Sequence, residues 1–328
     1  MRKFFLPLLA VMILCLTACG SSENVTDGGN GIGTAPKELK IVTTIFPEYD
    51  WVRNLTDGTD AEVTLLLDNG ADLHSFQPTA EDVLKISNCD IFIYVGGESD
   101  KWVDDALAEA VNKDMRVINL LDVMGDKAME EEIKEGMQAE EEEEEEEEET
   151  EFDEHVWLSL KNAKFICNKI EGELSAADPE NAEKYASNLE DYTKKLDELD
   201  NKFTELADKT ENKTLIFGDR FPFAYFTKDY GFDYYAAFVG CSAETEASFE
   251  TITFLANKVD ELGVKTVYTI DGSDGRIAQA VINSSKTKSA VTAQLDSMQS
   301  VTQKQVDEGE TYLSVMEKNY ETLSGTLN

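Results

Sequence analysis

Beyond residue 38 the chain alternates short, β-branched apolar runs with amphipathic stretches. Residues 40–46 (KIVTTIF), 61–67 (AEVTLLL), 90–95 (DIFIYV) and 115–120 read as strands, and 48–56, 79–87 and 102–111 as helices. Thr79 and Asp82 stand at capping-box spacing, which marks where the second of these helices begins. The theme returns further on, with strands over 214–217, 234–238, 265–270 and 289–295 and helices over 249–262, 276–284 and 308–323. Parallel strands need crossover connections, and helices supply them, so this alternation predicts sheets that are largely parallel. The expected fold class is α/β. It has two lobes, each with a mostly parallel sheet flanked by helices, joined by one long backbone helix.

That joining helix carries the clearest pattern in the chain. Ala182, Tyr185, Leu189, Tyr192, Leu196, Leu199, Phe203 and Leu206 recur at spacings of three and four, which lays one apolar stripe along a helix. Asp178 is placed to cap it and Pro179 suits its first position. From 179 to 209 it would run about 46 Å at 1.5 Å per residue, long enough to brace both lobes. The predicted boundaries are an N-terminal lobe over 38–177 with an acidic loop at 130–151, the linking helix over 178–210, and a C-terminal lobe over 211–328.

The N-terminus carries an address rather than a fold. Arg2 and Lys3 precede an apolar stretch over 4–16 that is too short to span a bilayer, followed by Leu16-Thr17-Ala18-Cys19. These residues resemble the lipobox of bacterial lipoproteins, in which the cysteine is lipidated and becomes the mature N-terminus. On that resemblance, 1–18 is a signal peptide, Cys19 the lipidation site, 19–37 a flexible Gly/Ser/Thr/Asn-rich tether, and the body sits on the extracytoplasmic face of the cell membrane.

Net charge narrows the partners. A formal charge of −38 argues against nucleic acid and against adsorption on anionic lipid, both of which need a basic face. Ten consecutive glutamates fill 140–149, and like charges at i,i+4 make that run a poor helix. It reads as a solvated insertion, or as a weak collector of cations. Beyond Cys19 the chain holds Cys89, Cys167 and Cys241, an odd set with no disulfide framework.

The chain has two histidines, and each lies in a setting suited to a metal. His74 sits on a loop between a strand and a helix (Gly70-Ala71-Asp72-Leu73-His74, then Gln77-Pro78-Thr79), at the carboxyl end of a strand, where open α/β sheets bind ligands. His155 follows Asp153-Glu154 and precedes Val156-Trp157-Leu158, an apolar anchor that would fix the ring. These motifs resemble the ligand loops of the zinc- or manganese-specific substrate-binding lipoproteins of bacterial ABC importers, and the resemblance extends over nearly everything after the tether. It implies a non-enzymatic, monomeric, lipid-anchored protein that captures a divalent metal between its lobes and delivers it to an ABC permease. Asp296, in Gln294-Leu295-Asp296-Ser297, matches the family's last ligand. Arg220 stands where the family has its third, and a guanidinium that stays protonated cannot coordinate a cation. The implied set is therefore His74, His155 and Asp296, with Asp219, Cys241, Glu244, Glu246 or water completing the shell and Arg220 paired with Asp219 or Asp296 behind it. Two imidazoles and a carboxylate suit zinc, with manganese or iron as the alternative. A surface zinc hydrolase and an acidic adhesin are the rivals from other classes; against the hydrolase stands the lack of an H-E-x-x-H helix or an obvious general base.

Overall fold

Two four-stranded sheets, both entirely parallel, organise the chain. A computed structural model describes residues 38–138, 151–242 and 246–327. Cys19, the tether, the glutamate run 140–149 and Glu244 lie outside the described residues. The first sheet is built from β1 (Lys40–Thr43), β2 (Glu62–Leu65), β3 (Ile91–Tyr94) and β4 (Arg116–Asn119), in the order β2-β1-β3-β4. β5 (Thr214–Phe221), β6 (Asp233–Val239), β7 (Thr266–Ile270) and β8 (Val291–Leu295) form the second, in the order β6-β5-β7-β8. In each sheet the order changes direction beside the first strand, the kind of place where doubly wound sheets open a crevice at their carboxyl edges.

The long helix runs over Ala182–Lys209, entered through a short 3-10 turn at Pro179–Asn181. Asp178 makes no side-chain cap to a backbone amide; its carboxylate accepts from the Tyr185 hydroxyl and the Asn181 side-chain amide, both at 2.7 Å, while its carbonyl accepts from the Asn181 backbone amide at 3.2 Å. The predicted stripe is the buried face, including Tyr185, Tyr192, Leu196, Leu199, Phe203 and Leu206. Near its start the Asn188 side chain donates to the carbonyls of Leu55 and Asp57 beside the first sheet. Further along, Phe203 packs on Phe226, Tyr230 and Tyr320 beside the second. One helix thus touches both lobes. It also has a partner that the pattern did not reveal, the antiparallel helix Leu160–Ala177 before it, whose Lys164 pairs with Asp197. The closing helix, expected over 308–323, runs over Tyr312–Thr326, and Gly309, at φ +95°, separates it from a further short helix, Gln303–Asp307.

A main apolar core runs through both lobes, and a smaller one lies under the helices Phe249–Leu262 and Arg276–Ser284. The latter helix packs hard on β5: a Cβ on Gly218 would stand 2.3 Å from the Ala278 Cα, so only glycine fits there.

Glu48, at the start of the helix Phe46–Leu55, is fully buried. One carboxyl oxygen accepts from the Thr44 and Ile45 amides and the Thr44 hydroxyl, while Oε1 is buried without a partner. Burial, helped by the charge of Asp100, pushes its pKa up from 4.5 to about 8. The fold therefore favours the protonated acid, and that stability is complete below the ordinary value and lost as pH rises through about 8. Glu48→Gln mimics the protonated group. The variant is expected to match wild type near pH 5 and exceed it near pH 9, the gap in unfolding free energy opening at up to about 1.4 kcal/mol per pH unit. Stability curves that run parallel across that range would refute this assignment.

Candidate metal centre

The carboxyl ends of both sheets deliver the site. His74 lies on a 3-10 turn, Leu73–Ser75, between β2 and the helix Ala80–Asn88, with Leu73 fully buried as its anchor. Asp72 caps the turn by accepting from the His74 amide at 3.1 Å. Behind the ring, Nδ1 meets the Ser99 hydroxyl at 2.7 Å, on the loop after β3, and lies 3.6 Å from Glu154 Oε2. The Ser99 amide in turn donates to Glu154 Oε1 at 2.9 Å.

His155 is completely buried, and Val156, Trp157 and Leu158 after it are too, the apolar anchor expected from the sequence. Its Nδ1 lies 3.0 Å from Asp153 Oδ1, which also accepts from the His155 amide at 2.8 Å. A proton on Nδ1 shared with a carboxylate leaves Nε2 as the lone-pair nitrogen and fixes the ring's orientation. Trp157 packs on the ring at 5.2 Å and donates from Nε1 to the Ser297 carbonyl, tying His155 to the loop after β8.

These supports bring the two histidines face to face, with Nε2 3.2 Å from Nε2. Burial and the neighbouring His155 and Arg220 push the His74 pKa down from 6.5 to about 3, so its lone pair is free at neutral pH. For His155, burial favours the neutral ring, but the hydrogen bond and charge of Asp153, with Glu154 and Glu131, outweigh it and raise the pKa.

Around this pair the structure differs from the sequence reading in two places and narrows it in a third. Asp296 is not brought to the imidazoles. Its carboxylate accepts from the Met298 amide on its own loop, and burial with the charges of Asp271 and Glu310 raises its pKa to about 7. The polar side chain that reaches His74 from this loop is Gln299, 4% exposed. Its Nε2 donates to the Ser297 hydroxyl, and its Oε1 is buried with no hydrogen-bond partner. A neutral amide is an uncommon metal donor, so its residue type does not single it out in the sequence; its place three residues after Asp296 is the available signal.

Arg220 is the second difference. It stands at the irregular end of β5, where the register with β6 shifts between Phe217 and Arg220. Rather than Asp219 or Asp296, its guanidinium pairs with Asp72 at 2.6 Å and donates to the Ser242 carbonyl at 3.3 Å. Asp219 accepts instead from the amides of Arg220 and Ile270. Arg220 therefore clasps the loop of His74 to the loop after β6.

The third concerns what completes the cluster. Among the described residues, the metal-ligating groups that converge are His74, His155 and Cys241, whose donor atoms all lie within 4.8 Å of one another. Glu246 is exposed. Cys241 follows Gly240, where a Cβ would come within 2.9 Å of the His155 Cε1, so the lack of a side chain lets β6 end against the ring. The first residues of the acidic loop contribute too, since Glu131 Oε1 accepts from the Cys241 amide at 3.1 Å. Backbone pairing of Glu130 with Phe152 closes the base of that loop beside the site.

The family described as zinc-uptake complex component A, periplasmic (ZnuA), matches residues 41–326. The zinc-binding lipoprotein AdcA of Streptococcus pneumoniae serotype 4 is 30% identical over 330 residues, covering 99% of this chain and 61% of that one. The high-affinity zinc uptake system protein ZnuA of Bacillus subtilis is 27% identical over 322 residues, covering 97% and 96% respectively. Among solved structures, the Zn(II)-bound ZnuA-like domain of Streptococcus pneumoniae AdcA superposes with a TM-score of 0.67 at 29% identity, covering 88% of this chain and 99% of that one. The chain spans between 56% and 61% of the length of its streptococcal relatives.

Proposed function

We propose, on the premise that this chain belongs to the ZnuA family of zinc-uptake components, that it captures one zinc ion between its lobes outside the cytoplasm and hands it to the permease of an ABC importer. The observation that carries the reading is the 3.2 Å approach of two imidazole Nε2 atoms. Each ring's other nitrogen has a partner of its own, so two lone pairs face each other, an arrangement that a shared cation stabilises. Two nitrogens bound ~2.0–2.1 Å from a tetrahedral zinc lie about 3.3–3.4 Å apart, close to the spacing already present. His74 and His155 are thus the imidazole donors, and the unpartnered Gln299 oxygen supplies a neutral one. Asp153, Glu154 and Ser99 hold the rings, while Arg220 fastens the two loops and adds no donor.

Zinc is the cargo, not a reagent, and the reading is capture without turnover. Family membership supports this, together with rings whose second nitrogens are committed to positioning partners. For the anchor, the lipobox at Cys19 and the printed name of the pneumococcal lipoprotein point the same way, to a lipid tether on the outer face of the membrane. No helix among the described residues is long and apolar enough to cross a membrane.

Uptake of radioactive zinc by zinc-starved cells tests the function. Deleting the gene is expected to slow uptake, the wild-type gene to restore it, and a His74→Ala/His155→Ala copy to leave it slow. Equal uptake with the double variant would sink the reading. Removing 140–149 is expected to keep the tight site and abolish weaker, salt-sensitive cation binding, because exposed carboxylates act through a screened field. A calorimetric titration in which the shortened chain loses its tight equivalent would instead make the run a source of ligands.

A further inference from the structure

Four donors are usual for a protein-held zinc, and the two imidazoles and one amide oxygen leave a place open. Arg220 cannot fill it. Asp219 is occupied by two backbone amides, Asp296 faces other carboxylates, and Glu131 Oε1 is held by the Cys241 amide. The Cys241 sulfur is different. It lies within 4.8 Å of both imidazole donors, on a strand end brought against His155 by Gly240 and fixed by Glu131. A second, independent feature marks the same spot as a place for a cation: the buried Gln299 Oε1, beside His74, has no hydrogen-bond partner. A nitrogen and a sulfur on one tetrahedral zinc lie about 3.5 Å apart, from Zn–N ~2.0 and Zn–S ~2.3 Å, so Cys241 need move by only about 1 Å.

We infer that Cys241 is the fourth protein donor, completing a His74–His155–Gln299–Cys241 set, and that its thiolate sets the metal preference. The inference rests on the proposed zinc capture and deepens it. On binding, the S–H proton passes to solvent as the sulfur–metal bond forms, with no change of oxidation state. Thiolate is a soft donor, favouring zinc, cadmium and cobalt over manganese, which prefers oxygen. The other two described thiols are remote candidates: Cys89 and Cys167 are both buried in the apolar core.

Cobalt(II) titration of the full chain tests this spectroscopically. One equivalent is expected to produce a near-ultraviolet sulfur-to-cobalt charge-transfer band alongside visible d–d bands of four-coordinate intensity. Cys241→Ser is expected to lose the charge-transfer band, to keep d–d bands at higher cobalt concentration, and to bind zinc on the order of a hundredfold more weakly. Its zinc-to-manganese ratio should narrow. Cobalt binding without the charge-transfer band in wild type, or an unchanged band in Cys241→Ser, overturns the inference and leaves zinc capture standing. A chain that takes up neither cobalt nor zinc overturns both.

Discussion

His74→Ala and His155→Ala each lower zinc affinity by about three orders of magnitude or more, while the metal-free variants still fold. Structural zinc sites bind with roughly 10–16 kcal/mol shared among their donors, so losing one imidazole removes about 4 kcal/mol, or a factor near a thousand. Their supports predict which variant suffers more in the apo state. His74 leaves behind only the neutral Ser99 hydroxyl, which Glu154 also engages, because its cap, Asp72, bonds the backbone rather than the ring. His155 is wholly buried and is the ring partner of Asp153, so its loss should cost about 1–2 kcal/mol of apo stability. Competition with a chromophoric chelator measures the first effect and urea unfolding the second. Variants that stay within about tenfold of wild type in zinc affinity would show that the rings are structural.

Trp157→Ala has the largest expected effect on the fold. The indole is completely buried, packs on the His155 ring, donates to the Ser297 carbonyl at 2.9 Å, and its own carbonyl accepts from Tyr312 at 2.6 Å. Truncating such a side chain costs about 3–5 kcal/mol through lost packing and the cavity left behind. Because Ser297 also receives the Gln299 amide, the substitution frees His155 and Gln299 together, and zinc affinity should fall about tenfold to a hundredfold. Urea unfolding of the apo protein that shifts by less than about 1 kcal/mol would contradict this role.

Much of the fold was legible because parallel sheets declare themselves. Buried on both faces, β3 reads as an unbroken apolar run, and all eight strands appear within a few residues of their expected positions. The helix Leu160–Ala177 was not legible, since its pattern is weaker than its neighbour's and tertiary packing decides its partner. The short helix Gln303–Asp307 was not legible, since five residues offer too little of a period to declare a helix, and the polar run 307–311 separates it from the next.

At the site, the local motifs around His74 and His155 carried their own evidence: a strand end, a cap, an apolar anchor. Long-range pairings did not. Arg220 meets Asp72 across 148 positions of sequence, a partnership no local pattern encodes. Asp296 had the right chemistry, and its loop was correct, yet its carboxylate turns back to its own backbone while Gln299 reaches inward. The family resemblance located the loop, but choosing the residue on it needed side-chain directions.

The most direct test is a competitive zinc titration of the purified chain against a chelator of known affinity, at neutral pH and physiological salt. The account predicts a single tight equivalent, with Kd on the order of nanomolar or below, that disappears in the His74→Ala/His155→Ala double variant. No tight equivalent in wild type, or a tight equivalent that survives in the double variant, would contradict it.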